Sequence, residues 1–438
     1  MREKNKLSLN SDFIKHASFM GLGFLIIFPF SVTSSSGIHG AIVFLSLIFA
    51  LIFYLSSGAD CAISNEEYLL FFSVVFMVLV ALFVTACAGI DELAMKKLFK
   101  FLYLLMIVPV YIFFRKIRVN HTAFWCGLVV GAIVSGFVAL YELWPGLIQL
   151  RFFRRASGGL NPIIFGDISL LLGAMSMAGI GWFKSKANWL IILPVVAFVL
   201  GLLASVLSNT QGAWLAIPFI CLVFIWYSSC CISRWKLVLG LLILLGIMLV
   251  VYLTPMTGVA SKLERTTHNL QIYYNSPITS QYRDTPIGAR LEAWQASWQI
   301  FLDNPLIGVG WGRYNDHAKV LVEKGLRNEV AIDFMHPHNQ FFSSLVSGGL
   351  LGLSATLVLF VVPILIFIRV IKSVDKSDDM HRIALAGLVM VIGFAVCNLT
   401  ESFLERSRPV SFFLFYLAVC MAGIRIKDSA MIQLSEKS

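Results

Sequence analysis

Charged residues are scarce in this chain. Only 13% of its 438 residues are Asp, Glu, Lys or Arg, whereas 58% are hydrophobic. Soluble domains carry about 25% charged residues, so the composition excludes an ordinary soluble protein. The apolar residues form repeated runs of about 20, the length that an α-helix needs to cross a bilayer. The sequence therefore predicts an all-α polytopic membrane protein.

The cysteines do not form a recognisable disulfide or metal-binding pattern. The eight cysteines lie within the apolar runs or close to their ends, and none lies in the long hydrophilic segment of residues 255–338. Neither a disulfide framework nor the ligand spacing of a zinc site is present. Internal repeats and low-complexity tracts are also missing, so the sequence does not indicate a repeat protein.

The apolar runs predict twelve membrane spans. These lie near residues 17–34, 39–56, 68–89, 99–114, 123–143, 165–183, 188–206, 211–231, 236–254, 340–368, 383–400 and 409–424. The fourth is short and is interpreted as tilted or re-entrant. A basic N-terminus precedes the first span without a small-residue cleavage site, so that span is interpreted as a retained helix.

Lys and Arg residues are distributed unevenly between alternate loops. One side carries 18 of them, and the short loops of the other side carry eight. This bias places both termini in the cytoplasm and the long segment in the periplasm. Most of the net charge of +10 reflects the bias and does not indicate nucleic-acid binding. The predicted organisation is nine spans in residues 1–254, a periplasmic catalytic segment in 255–338, and three spans and a tail in 339–438.

The periplasmic segment is too long for a structureless loop, and we expect it to be mainly helical. Four apolar residues recur there at the spacing of one helix face: Leu291, Trp294, Trp298 and Phe301. This face is interpreted as a packing face or as a surface resting on the lipid interface. Asn304-Pro305 ends the helix, and residues 315–326 form a second one.

Two histidines stand where this segment meets the tenth span. Because histidine titrates near neutral pH, His336 or His338 can exchange a proton with a substrate. Pro337 favours an extended predecessor, so we expect the two side chains to diverge and only one to be catalytic. His338 is favoured because it precedes Asn339 and lies closer to the span. A metal site is disfavoured, since no third and fourth ligands follow at a suitable spacing.

Arginines are the second group of candidates. The long segment has eight basic and eight acidic residues, so an anion would be bound by particular arginines. Arginine makes bidentate bonds to phosphate, whereas the competing interpretation is snorkelling to lipid head groups. Snorkelling is favoured for Arg151, and both interpretations stay open for Arg290. The outer-side candidates are Arg151, Arg154, Arg155, Arg265 and Arg290.

Further polar and small residues lie near the same outer ends. Gly348, Gly349 and Gly352 are interpreted as positions of close helix packing. Glu401 is a candidate for fixing a catalytic arginine or histidine. Glu405 is interpreted as one half of a structural pair with an arginine.

Two motif blocks resemble the O-antigen ligase/polymerase superfamily over most of the chain. The first is Gly288-Ala289-Arg290-Leu291, followed by residues 303–310. The second is His338-Asn339, then nine residues, then Gly349-Leu-Leu-Gly352, which fits the ligase spacing. The combination is specific to the superfamily and less specific to ligases over polymerases.

The resemblance implies a GT-C-like glycosyltransferase of the bacterial inner membrane. It would transfer a glycan from undecaprenyl pyrophosphate to a hydroxyl of lipid A–core, with inversion and without metal or cofactor. His338 would be the base, supported by His336, Asn339 and Glu401. The donor pyrophosphate would be held by these residues: Arg290, Arg265, Arg155, Arg154 and Gln211.

One departure from the family pattern concerns Gln211. Members usually carry arginine there, in a Ser/Thr-x-Ser/Thr-Arg-Gly/Ala pattern, whereas this chain has Ser208-Asn209-Thr210-Gln211-Gly212. Either Arg154 or Arg155 substitutes for that charge, or the chain handles another donor or acceptor.

Three alternatives to the ligase remain open. A polymerase of the same superfamily would extend the glycan on its lipid carrier. A transporter would only bind a passing anionic lipid, but it would concentrate polar groups at the membrane midplane. An oligosaccharyltransferase that modifies proteins is the third.

Overall fold

A computed structural model of the chain is nearly all helical, with no strand among the residues it describes. These residues are 11–34, 37–57, 63–148, 155–229, 246, 249, 252–254, 259–280, 283–375 and 378–425. The predicted all-α polytopic fold is thereby confirmed. In chain order the helices are α1 Ser11–Val32, α2 Ile38–Ser57, α3 Asn65–Ala88, α4 Glu92–Leu102, α5 Ile107–Ile117, α6 His121–Ile148, α7 Pro162–Ala178, α8 Ile180–Lys186, α9 Ile192–Leu207, α10 Gln211–Ser229, α11 Val259–Asn275, α12 Pro286–Asp303, α13 Tyr314–Glu323, α14 Gln340–Ser373, α15 Asp379–Cys397 and α16 Ser407–Ile424.

Nine helical segments in the described part of the chain are long and apolar enough to cross a membrane. A tenth is added if α7 and α8, which meet at a bend of 51°, form one span. The predicted eighth span corresponds to the shorter apolar helix Gly212–Ser228. The predicted ninth span, residues 236–254, lies almost wholly outside the described residues, so the total of twelve stays a prediction.

The fourth span is longer than predicted. It runs over Glu92–Ile117, 26 residues, through a 3-10 turn between α4 and α5. The lysines near its start made the apolar run look short. Two of them form polar contacts with residues that precede or begin α16. Lys97 forms an ion pair with Glu405, and Lys100 Nζ donates a hydrogen bond to Ser407 Oγ at 2.6 Å.

The loops that connect the spans lie at two opposite ends of the helix bundle. At one end, Glu67 accepts hydrogen bonds from Arg115 at 2.9 Å and Arg425 at 3.2 Å. At the other end, the loops that carry the candidate site residues meet; we call it the site end. α15 and α16 lie in the centre, and most of their residues are buried. They carry the loop with Glu401 into the middle of the site end.

The helix α14 is broken at Gly349, whose backbone has φ 60° and ψ −150°. The loop after α12 fills the break. Val309 N–H donates to the Val346 carbonyl at 2.8 Å, and Leu350 N–H donates to the Pro305 carbonyl at 2.8 Å. Gly349 thus serves backbone pairing with this loop, whereas a Cβ on Gly348 would contact Trp311 and Val84 of α3. The two motif blocks are one structural unit.

We predict that Gly349→Ala destabilises the protein, by about 1–3 kcal/mol. The φ and ψ at Gly349 belong to a region that is essentially restricted to glycine. A Cβ atom there would lie 2.5 Å from the Leu306 carbonyl. Gly348→Ala is the matched control, because its Cβ would meet its nearest neighbour, Trp311, at 3.6 Å. Equal unfolding midpoints in detergent for the two variants would contradict the prediction.

Candidate active site

His338 has a backbone conformation that is rare for a residue with a side chain. Its φ is 51°, in the left-handed region. The chain therefore turns back on itself, and His338 N–H donates a hydrogen bond to His336 Nδ1 at 3.2 Å. The two imidazole rings lie 4.4 Å apart. The expectation that they diverge is wrong, because the restriction that Pro337 places on His336 does not extend to His338, whose left-handed backbone turns its ring back.

Both imidazoles face the carboxylate of Glu401. His338 Nδ1 lies 3.2 Å from a Glu401 oxygen, and His336 Nε2 lies 3.8 Å away. Glu401 is buried, with 1% of its surface exposed, in the loop between α15 and α16. The structure therefore brings together a histidine pair and an acid that are about 60 residues apart in sequence.

Backbone hydrogen bonds hold the two segments against each other. The Asn339 side chain caps α14 by accepting hydrogen bonds from two N–H groups of its first turn. Gln340 N–H donates to the Asn398 carbonyl at 2.8 Å. Its side-chain oxygen accepts from Leu404 N–H at 3.1 Å. Asn339 and Gln340 thus fix where His338 meets Glu401.

The protonation states follow from these partners. Burial lowers the pKa of His336 to about 4, so this ring is neutral at pH 7. Burial alone would raise the pKa of Glu401, but the hydrogen bond with His338 and the charge of Arg406 bring it down to about 2. An ionised Glu401 accepts from the Nδ1–H of His338. The Nε2 atom of a neutral His338 is then the proton acceptor.

We predict that acidification destabilises this site in two steps. The unfolded chain binds more protons than the folded one between pH 6.5 and 4 at His336, and between pH 4.5 and 2 at Glu401. Stability therefore falls as the pH falls through each window. His336→Asn should remove the first loss, at most about 3 kcal/mol. Unfolding midpoints at pH 7 and 4.5 measure this, and exposed His268→Asn is the control; an unchanged pH dependence in His336→Asn would refute it.

Glu405 has a different partner from the one expected. It pairs with Lys97 of α4 and accepts a hydrogen bond from Ser343 Oγ at 2.5 Å. The expected Glu–Arg pair is instead formed by Glu401 and Arg406, whose Nη2 atom lies 3.3 Å from the carboxylate. The sequence alone did not separate these pairings, because both acids and both basic residues lie near the same helix ends.

Arg155 is held beside the start of α10. Its Nε donates to the Ser208 carbonyl at 2.8 Å, and its Nη2 donates to the Asn209 carbonyl at 3.1 Å. This segment leads directly into Gln211, whose side chain lies outside the described residues. The guanidinium of Arg155 is therefore close to the position where the family pattern has its arginine.

Arg290 stands at the start of α12 and is partly buried. Burial lowers its pKa, while the negative charge of Glu401 acts in the opposite direction. Partial burial and the positive charge of Arg290 lower the pKa of Arg155. The two arginines are thus near enough to repel each other, and a bound anion would relieve that repulsion.

Among the described residues, Arg265 is a predicted pyrophosphate ligand that is not joined to this group. Arg265 is exposed on α11, and no hydrogen bond or ion pair in the described part of the chain joins it to the other candidates. Arg151 and Arg154 lie outside the described residues. Their predicted roles stay predictions.

Asp167 is a residue that the sequence analysis missed. It lies on α7, is completely buried, and lies near Arg290. Ionisable residues within membrane spans are usually functional or paired, and that signal was available from the sequence. The run around Asp167 is so apolar that the residue was absorbed into the predicted sixth span.

The buried face of α12 coincides with the predicted one only at Phe301. Its inward side consists mostly of small residues around the buried Glu292, while Trp298 is half exposed. Glu292 accepts a hydrogen bond from Tyr273 at 2.9 Å and pairs with Arg283. A buried acid needs such partners, and Tyr273 thereby binds α12 to α11. Trp294 Nε1 donates to the Pro337 carbonyl at 2.9 Å, so α12 also supports the histidine segment.

A metal ion would find three ligand atoms here. One atom each from His336, His338 and Glu401 lie within 4.8 Å of one another. The expectation that no third ligand is near is wrong, because Glu401 is distant only in sequence. Arg406 binds the same carboxylate, so a cation would meet a guanidinium charge. The group fits an imidazole–carboxylate pair better than a metal centre.

Two comparisons with known proteins bear on this site. Residues 196–357 match a family model described as O-antigen ligase. The matched region contains Arg290, His338 and Gly349, whereas Arg155 and Glu401 lie outside it. An uncharacterized protein of Haemophilus influenzae is 22% identical over 388 residues, which cover 88% of this chain and 92% of that protein.

The fold and the site define a multi-pass membrane protein with its candidate site at one end of the helix bundle. The family match confirms the resemblance to the O-antigen ligase/polymerase superfamily. It supports a ligase- or polymerase-type function with glycosyltransferase-like activity.

Proposed function

We propose that this protein is an O-antigen ligase of the inner membrane, with the site end facing the periplasm. It transfers a glycan from undecaprenyl pyrophosphate to a hydroxyl of lipid A–core. The observation that carries the proposal is the pair of His338 and Glu401 beside the partly buried Arg290. A positioned imidazole and fixed cations are what a metal-independent transfer from a pyrophosphate requires.

In this mechanism, Arg290 and Arg155 bind the pyrophosphate, together with Arg265, Arg154 and Gln211. His338 Nε2 takes the proton of the acceptor hydroxyl as its oxygen bonds to the anomeric carbon. The bond from that carbon to the pyrophosphate oxygen breaks, and its electrons leave with the lipid pyrophosphate. Displacement in one step inverts the anomeric centre. Glu401 holds the tautomer of His338 and stabilises the imidazolium that forms.

A polymerase of the same superfamily would use the same chemistry on a different acceptor. The geometry of the described residues supports the transfer step and is equally compatible with either acceptor. Gln211, in place of the family's arginine, is the sequence feature that keeps the polymerase as the second candidate.

The deciding experiment supplies the purified full-length protein with lipid-linked glycan, with and without lipid A–core. We expect a joined product that appears only when the acceptor is present. A ladder of longer glycans on the lipid carrier without acceptor would identify a polymerase. Donor binding without either product would contradict both and favour transport.

A further inference from the structure

An open surface cavity of about 560 Å³ lies at the site end, between the loop before α7 and the start of α16. One wall is Gly159–Asn161 with Ile164, and the other is Arg406–Arg408. We call it the Arg406–Arg408 cavity. Its volume lies within the range of about 300–1,000 Å³ that is usual for pockets that bind small molecules.

The lining of this cavity suits an anion. Two of its seven lining residues are arginines, none is acidic, and Asn161 and Ser407 are neutral and polar. Arg406 also has a buried Nε atom without a hydrogen-bond partner among the described residues. That atom is not reached from the cavity, but the Arg406 side chain as a whole is 31% exposed and lines it.

The cavity is connected to the proposed base through a single carboxylate. Arg406 lines the cavity and lies 3.3 Å from Glu401. The same carboxylate lies 3.2 Å from His338. A ligand that contacts Arg406 would thus be one side chain removed from the imidazole pair. Arg290 and Arg155, which we assign to the pyrophosphate, belong to other elements and do not line this cavity.

We infer that the Arg406–Arg408 cavity binds an anionic substituent, a phosphate or a carboxylate, of the acceptor saccharide. The inference rests on the proposed function, because it assigns the acceptor of that reaction. An anchor here would hold the acceptor while its hydroxyl reaches His338. Such an anchor makes the acceptor's charge, and not only its hydroxyl, a determinant of specificity.

Binding of the deacylated lipid A–core oligosaccharide to the full-length protein in detergent tests this directly. We expect Arg408→Gln to weaken binding about tenfold or more, as charge-assisted bonds are lost, and Arg408→Lys to recover part of the affinity. The matched control is Arg369→Gln, whose side chain is 72% exposed at the opposite end. The unfolding midpoint of each variant shows whether a loss comes from misfolding, and a well-folded Arg408→Gln that binds like the wild type overturns the inference.

Chemically altered oligosaccharides identify the anionic group. Dephosphorylation should weaken wild-type binding if the group is a phosphate, and carboxyl reduction should do so if it is a carboxylate. The effective treatment should have little further effect on Arg408→Gln, since group and arginine contact each other. Undiminished wild-type binding after both treatments contradicts the inference. If the oligosaccharide binds as expected but no joined product forms, the proposed function fails while the anionic subsite stands.

Discussion

Replacing His338 by alanine should abolish glycan transfer while leaving the protein folded and able to bind its donor. General-base catalysis typically contributes about 10²- to 10⁴-fold to a rate, and we expect a loss of that order in turnover. The reason is geometric, because Glu401 occupies Nδ1 of this ring and leaves Nε2 to accept a proton. His336 cannot simply take over, since its Nδ1 accepts the backbone N–H of His338 and its Nε2 faces Glu401.

The matched control for this prediction is His268→Ala, a change of the same type at an exposed position of α11. It should transfer at the wild-type rate. Donor binding should agree among the wild type and both variants, and a cooperative unfolding transition of His338→Ala should show that it remains folded. Wild-type turnover in His338→Ala would show that the imidazole is not the base.

Arg290→Ala should give the second large loss, in turnover and in donor affinity. Removing one fixed donor from a developing negative charge typically costs about 10²- to 10³-fold in rate. Arg290 is partly buried, so its charge is weakly screened where the leaving pyrophosphate would lie. We expect Arg290→Lys to keep part of the activity, because lysine retains the charge but loses the bidentate geometry.

The control for Arg290 is Arg369→Ala at the opposite end of the bundle. Loss of a surface charge there should leave both donor affinity and turnover unchanged. If Arg290→Ala also leaves both unchanged, the residue does not bind the pyrophosphate. A loss of donor affinity at unchanged turnover would mean that it binds donor and transition state equally.

Much of the fold was predictable because membrane spans are determined by local composition. Apolar runs identify the spans without any knowledge of packing. The helical character of α12 follows from the spacing of its apolar residues, and its end before Asn304 follows from the proline after that residue. The break at Gly349 was not predictable in the same way. The spacing of its glycines indicated a packing motif. Only the tertiary structure shows that the loop at Pro305 is hydrogen-bonded to the helix on both sides of the break.

The candidate site was likewise predictable only where it depends on the local sequence. His338 could be singled out from its immediate neighbours, whereas its contact with Glu401 depends on two loops meeting at the end of the bundle. The orientation of the histidine pair was predicted wrongly, since the rule for proline says nothing about the left-handed conformation of the next residue. Asp167 was missed because one acid hardly changes the apolar composition of a span, although such acids are usually functional or paired.

The most direct test of the proposed transfer is a single-turnover measurement with the enzyme in excess over lipid-linked glycan and with lipid A–core present. We expect joined glycan and free lipid pyrophosphate to appear at the same rate and in equal amounts in the wild type. Both should be lost together in His338→Ala. Release of lipid pyrophosphate without joined glycan, or equal rates in the wild type and His338→Ala, would contradict direct transfer to an acceptor activated by His338.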